Sequence, residues 1–178
     1  MGVTGTGKTT VGQALAKATG WLFADADDFH SSANRAKMHA GIPLTDEDRA
    51  PWLESLHTQI QQWSSAHANV ILACSALKES YRVTLARDIP PDVIRLVYLT
   101  GPVSLIEQRL QARTGHYMPA SMLQSQIDAL EPPQNALQVS IEPPVSTIVQ
   151  QIVQSLGLTT MLEPAAPAEK PPTERSSS

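Results

Sequence analysis

Short apolar runs alternate with amphipathic stretches along the whole chain. Four runs read as strands: residues 21–24, 70–74, 93–99 and 137–141. The second, Val70-Ile71-Leu72-Ala73-Cys74, carries no charge, and only Arg95 interrupts the third. Near-continuous apolar runs of this length suit parallel strands covered on both faces. Between them, apolar residues recur at helical spacing over 9–19, 48–66, 77–87, 103–113, 120–130 and 145–156. In the second of these stretches Leu53, Leu56, Ile60 and Trp63 form one stripe, with Pro51 in the first turn; in the last, Val145, Ile148, Val149, Ile152, Val153 and Leu156 form another, closed by Gly157. Strand–helix alternation predicts an α/β fold, an open parallel sheet with helices on both faces. Ligands on such sheets sit beyond the carboxyl ends of the strands, which directs attention to those loops.

Composition changes the picture in three places. Residues 159–178 are mostly Pro, Ala, Glu, Lys, Thr and Ser, too polar to build a core, so 1–158 is expected as the folded unit and 159–178 as a disordered tail. A net charge of −4 provides no global basic surface, which argues against nucleic acid as a partner. One cysteine among 178 residues excludes an internal disulfide and suits a reducing, cytoplasmic setting. No run reaches the roughly 18 apolar residues of a membrane span, so no membrane association is expected.

The chemistry begins at once. Gly2-Val3-Thr4-Gly5-Thr6-Gly7-Lys8-Thr9, followed by Thr10, fills every fixed position of G-x-x-x-x-G-K-[ST], the phosphate-binding P-loop. Glycines let successive N–H groups point inward at an anion, Lys8 adds a mobile positive charge, and the Thr9 hydroxyl can ligate Mg²⁺. Such a loop follows a buried strand, and here Met1 alone precedes it, so the sheet is expected to lack its first strand.

Downstream of the first strand, Asp25 and Asp27 share one side of an extended segment. Phosphoryl transfer uses one carboxylate near the metal and another at the attacking hydroxyl; an acidic turn is the other reading. The stretch 34–53 is dense in polar groups: Thr45 and Asp48 can form a capping box, while Lys37, His39 and Arg49 could line an anionic substrate or simply face solvent. Ser75 and Lys78 end the second strand, with Tyr81 and Arg82 beyond. Cys74 reads as a small buried apolar residue rather than a nucleophile. Arg109 and Arg113 share a helix face beside Gly115-His116-Tyr117-Met118-Pro119, which fits either a lid over phosphates or a solvated helix end.

Taken together, these segments resemble the gluconokinase family of P-loop small-molecule kinases. The residues carrying the resemblance are the P-loop, Asp25-x-Asp27-x-x-His30, the block 34–53 with Lys37, Met38, Gly41, Pro43, Leu44, Asp46, Asp48, Arg49, Pro51, Trp52 and Leu53, the run Cys74-Ser75-Ala76-Leu77-Lys78-x-x-Tyr81-Arg82, and Arg109-Leu110-x-x-Arg113-x-Gly115-His116-Tyr117-Met118. It implies ATP- and Mg²⁺-dependent phosphorylation of D-gluconate to 6-phosphogluconate, a fold like that of shikimate kinases, and a homodimer. By position, residues 2–10 would hold ATP, with Lys8 also catalytic. Thr9 and Asp25 would hold Mg²⁺, and Asp27 would orient and deprotonate the acceptor hydroxyl. His30, Lys37, Arg49, Ser75, Lys78, Arg82 and His116 would contact gluconate, and Arg109 and Arg113 would be lid arginines. Departures from the family pattern are Ser31, Val83, Ala86 and a shortened loop between Pro133 and Val139. The alternatives are a truncated or inactive relative, or a P-loop kinase of another small acid such as shikimate.

Overall fold

The computed structural model describes residues 1–112 and 120–161. In chain order it contains α1 (Lys8–Thr19), β1 (Leu22–Asp25), a 3₁₀ turn (Ala26–Phe29), α2 (Ser32–His39), α3 (Asp46–Ser65), β2 (Val70–Ala73), α4 (Glu79–Ala86), β3 (Val97–Thr100), α5 (Val103–Gln111), α6 (Ala120–Asp128), β4 (Leu137–Ser140) and α7 (Val145–Leu156). All four expected strands and six expected helices form. The additional helix, α2, has no apolar stripe to announce it. It starts because the Ser31 hydroxyl caps the Asn34 N–H.

Each strand has one parallel partner. β1 lies on β2, Leu22 opposite Val70 through Asp25 opposite Ala73, and β3 lies on β4, Val97 opposite Leu137 through Thr100 opposite Ser140. The chain start bridges the two ladders. The Met1 nitrogen donates to Val97 O and the Met1 carbonyl accepts from Leu99 N, the hydrogen-bond pattern of a parallel ladder, while Gly2 N donates to Ser75 O at 3.3 Å. A groove of about 500 Å³ separates the half-sheets, bounded by Met1, Ile71, Ala73, Val97, Leu99 and Leu156.

The third strand begins at Val97, not at residue 93. β4 starts opposite Val97, and Leu137 N reaches back only to Leu96 O. Residues 93–95 have no ladder partner among the described residues, and Val93 is exposed.

Alternate residues of the strands face two different cores, as the pleat requires. Ile71, Leu99, Val139 and Ile141 pack with α1, α5, α6 and α7. Leu72 and Cys74 pack with Trp52, Leu53 and Leu56 of α3 and with Tyr81 and Leu85 of α4. Cys74 is buried there and burial pushes its thiol up to about 11, which fits the apolar role expected of it. α3 and the 3₁₀ turn, which carry the candidate site residues Arg49 and Asp27, rest on this second core.

Candidate active site

The P-loop closes around its own backbone. Gly7 caps α1 with φ 86°, a left-handed conformation that glycine adopts without a Cβ penalty. At Gly2 a Cβ would stand 2.6 Å from Leu99 O, so only glycine lets the loop leave the sheet there. Thr6, buried, donates its hydroxyl to Val3 O at 2.8 Å and pins the loop from within. Lys8 Nζ folds back onto the same carbonyl at 3.1 Å. The first helical hydrogen bond after Gly7 runs from Val11 N to Gly7 O, so the N–H groups of the first turn of α1 face the loop. Thr4 N is taken by Gln126 Oε1 of α6 at 2.7 Å, a contact with no sequence signal beyond Gln126 itself.

The acidic pair sits against this cradle. Thr9 Oγ1 donates to Asp25 Oδ2 at 2.8 Å, and Asp25 Oδ1 accepts from Asp27 N at 3.1 Å. Asp25 thus caps the 3₁₀ turn, as the acidic-turn reading expects, and at the same time faces the P-loop threonine. The oxygen pair of Thr9 and Asp25 suits Mg²⁺, a hard cation that keeps several waters and shares phosphate oxygens. Among the described residues there is no cluster of three or more His, Cys, Asp and Glu, so no all-protein metal cage competes with that reading. Asp27 is solvent-accessible as a residue, yet its carboxyl is held above the usual range. Desolvation is the main cause, the Asp25 charge adds to it, and Lys8 pulls the other way.

Trp52 joins this group to the acceptor side. Its indole Nε1 donates to Ala26 O at 2.7 Å, holding the turn that carries Asp27. The His30 ring stacks on Trp52, 4.5 Å between centroids and 10° from parallel. His30 is buried, its Nδ1 has no hydrogen-bond partner among the described residues, and its pKa is lowered to about 4 by burial first, then by Arg49 and Arg35. An unsatisfied buried polar atom at this place is suited to a ligand hydroxyl.

Beyond His30 lie the cations. Lys37 Nζ spans both oxygens of Asp48 at 2.7 and 2.8 Å. Asp48 also completes the expected capping box with Thr45, and its carboxyl is held low mainly by Lys37. Asn34 Nδ2 holds Asp48 O, fixing α2 against α3. Lys78, Tyr81 and Arg49 gather on Asp46, whose carboxyl is likewise held low, chiefly by Lys78 and then Tyr81. Ser75 brings the end of β2 beside the P-loop through its carbonyl on Gly2 N. Arg82 directs Nη1 to the carbonyls of Ala76 and Leu77, bracing a loop in which Ala76 has φ 44°. Arg109 Nη2 donates to Ile141 O at 2.7 Å, tying α5 to the β4–α7 loop. Arg113 and His116 lie outside the described residues. Asp46, Tyr81, Trp52 and Gln126 are the site members that residue-type reasoning had not assigned a role.

Comparison with known proteins agrees with this geometry. The family model described as shikimate kinase matches residues 4–154. A probable gluconokinase of Rattus norvegicus is 43% identical over 175 residues, covering 88% of this chain and 95% of that protein. The gluconokinase of Gluconobacter oxydans is 43% identical over 157 residues, covering 86% and 87%. The crystal structure of a gluconokinase from Sinorhizobium meliloti superposes with a TM-score of 0.79 at 39% identity, covering 88% of this chain and 89% of that one. A shikimate kinase from Aquifex aeolicus, 16% identical with a TM-score of 0.55, shares the fold. The P-loop, the Asp25–Asp27 pair and the cations Lys37, Arg49 and Lys78 thus occur on the matching fold and across the matching length, and the chain belongs to the gluconokinase family, within the shikimate kinase group of P-loop kinases.

Proposed function

We propose that this enzyme transfers the γ-phosphoryl group of ATP to the 6-hydroxyl of D-gluconate, giving 6-phosphogluconate and ADP. The observation that carries the reading is the continuity of the site. Lys8, Thr9, Asp25 and Asp27 would form its phosphate end; the Trp52–Ala26 hydrogen bond and the Trp52–His30 stack join that end to His30, whose pKa the Arg49 charge helps to lower, and Arg49 and Lys78 share Asp46 beyond it.

Residues 2–10 would cradle the phosphates through backbone N–H groups, and Lys8 would swing from Val3 O onto the transferring group. Thr9 and Asp25 would hold Mg²⁺, which neutralises charge developing on the phosphate oxygens. Asp27 would accept the 6-hydroxyl proton as that oxygen bonds to phosphorus and the β–γ bridging oxygen leaves with ADP. Its pKa, raised mainly by desolvation and then by the Asp25 charge, makes it a better base than an ordinary carboxylate. Arg49 and Lys78 would face the gluconate carboxylate, with Lys37 and His30 on the hydroxyls and Ser75, Arg82 and His116 around them. Arg109 and Arg113 would close over the phosphates. A homodimer in the cytoplasm is proposed from the family resemblance, and sedimentation velocity tests the dimer.

A coupled ADP-release assay across gluconate, shikimate, glucose and nucleoside monophosphates tests the activity. Turnover confined to gluconate is expected. Turnover with shikimate instead would move the chain to the other acid, and no turnover with any acceptor would favour an inactive relative.

A further inference from the structure

One carboxylate at the acceptor end is surrounded by donors drawn from two helices. Asp46, the first residue of α3, takes Lys78 Nζ on both oxygens at 3.0 and 2.7 Å, the Tyr81 hydroxyl, and Arg49 Nη1 at 3.7 Å. Arg49 and Lys78 both lie over the Tyr81 ring, 5.8 and 5.5 Å from its centroid. The burial is lopsided. The Asp46 side chain is 57% exposed, whereas Arg49 and Lys78 are 26% and 30% exposed. The donors form the floor and the carboxylate enters from the solvent side. An ordinary surface ion pair would explain one such contact. It does not explain why two cations and a phenol, braced on one another, converge on a single group.

Two cations and a phenol arranged this way are what a carboxylate ligand needs. The geometry points to Asp46 as an intramolecular stand-in for the carboxylate of the acceptor. It keeps Lys78, Arg49 and Tyr81 poised while the acceptor is away, and it is displaced when an acid binds. This inference rests on the reading of the acceptor as a sugar acid. Displacement is undemanding, because an exposed ion pair is weak and because α3 is capped independently by Thr45 and Asp48. Asp48 cannot take over the role, being engaged by Lys37. A neutral sugar regains none of the charge-assisted bonds it would break. Asp46 is thereby a specificity residue, admitting acids over neutral sugars.

The test is Asp46→Asn in the full chain, with gluconate and ATP varied separately. The KM for gluconate is expected to fall roughly two- to fivefold, the scale of one exposed ion pair, with the KM for ATP unchanged. In a Lys78→Met background, where only Tyr81 and Arg49 still hold Asp46, the same substitution is expected to have a smaller effect. A gluconate KM that rises in Asp46→Asn makes the residue a positioning element and overturns the inference, as does an unchanged KM. If the wild-type protein does not turn over gluconate, the proposed reaction fails by itself, and thermal shift then reads the exchange directly. Gluconate and shikimate should raise Tm more in Asp46→Asn than in wild type while the neutral polyol glucitol does not, and equal shifts overturn the inference.

Discussion

Acidification should weaken the fold through one residue, His30. The ring is 6% exposed, stacked on Trp52, and its Nδ1 has no partner among the described residues. Burial, then Arg49 and Arg35, lower its pKa from 6.5 to about 4. The folded protein therefore keeps His30 neutral in a range where the unfolded chain protonates it. The unfolded state binds more protons between those two values, so stability is fully present above about pH 6.5 and is lost as pH falls toward 4. The full difference is worth about 3 kcal/mol, a substantial part of the 5–15 kcal/mol that holds a typical domain together. Urea unfolding at fixed ionic strength, stepped from about pH 7.5 to about pH 4.5, reads it. His30→Gln cannot gain the proton, so its stability should decline much less over that range. Asp46, Glu47, Asp48 and Glu54, all held low by their partners, are common to both proteins and cancel in the comparison. Parallel curves for the two proteins would refute the reasoning. Arg49→Met supplies a second check: removing that charge raises the His30 pKa, so the decline should become shallower than in wild type.

Four further outcomes are expected. Trp52→Phe keeps the ring but orphans Ala26 O, which should cost about 2 kcal/mol, or roughly 4–8 °C in Tm, and raise the gluconate KM; an unchanged Tm would remove the Trp52–Ala26 bond as a support of the turn. Lys8→Met should reduce kcat by at least ~10²-fold, the scale of one lost charge-stabilising donor, and near-normal turnover would discard the P-loop assignment. Arg49→Ala should raise the KM for gluconate more than that for ATP, and the reverse order would take Arg49 out of the acceptor site. Extending the chain ahead of Met1 by four β-branched apolar residues should raise Tm relative to a four-residue Gly/Ser extension, because a strand there can pair with β3 beyond the Met1 contact and fill the groove; equal melting temperatures would mean that the half-sheets do not accept a strand.

Much of the fold was legible because it is written locally. Val70 to Ala73 is wholly apolar, Leu137 to Ser140 alternates Leu and Val with Gln and Ser, and α7 carries an unbroken stripe from Val145 to Leu156 closed by Gly157 at φ 62°. Two features escaped for opposite reasons. α2 is a polar helix, held by the Ser31 cap and by Asn34 on Asp48 O, so periodicity had nothing to detect. Residues 93–95 have strand composition but lack a ladder partner among the described residues, and composition cannot supply one. Strand formation is a property of the pair, which is why the boundary fell at Val97, where β4 begins.

The site divides along the same line. The P-loop and the Asp25–Asp27 pair were legible because their chemistry is close in sequence. Even there the sequence posed capping and function as alternatives for Asp25, whereas its two oxygens serve Asp27 N and Thr9 Oγ1 separately. The acceptor end was legible only as residue types. Lys37, His39 and Arg49 suggested either a bed for an anion or a solvated surface, and Lys78 was placed only at the end of the second strand, with no partner assigned to any of these cations. In the fold Lys37 lies on Asp48, and Lys78 and Arg49 lie on Asp46. The partner of Lys78 is 32 positions away in the chain, and that of Tyr81 is 35. No window of helical or strand periodicity spans such a distance. The pairing also resolves a physical difficulty. Cations gathered to receive an acid repel one another until it arrives, and half-buried ones do so more strongly than solvated ones. Acidic residues placed in the first turn of α3 relieve that repulsion, and at that helix end they are themselves favoured by the dipole. Asp46 and Asp48 therefore do more than start a helix. They supply the counter-charges that let Lys37, Arg49 and Lys78 gather on one face of the fold.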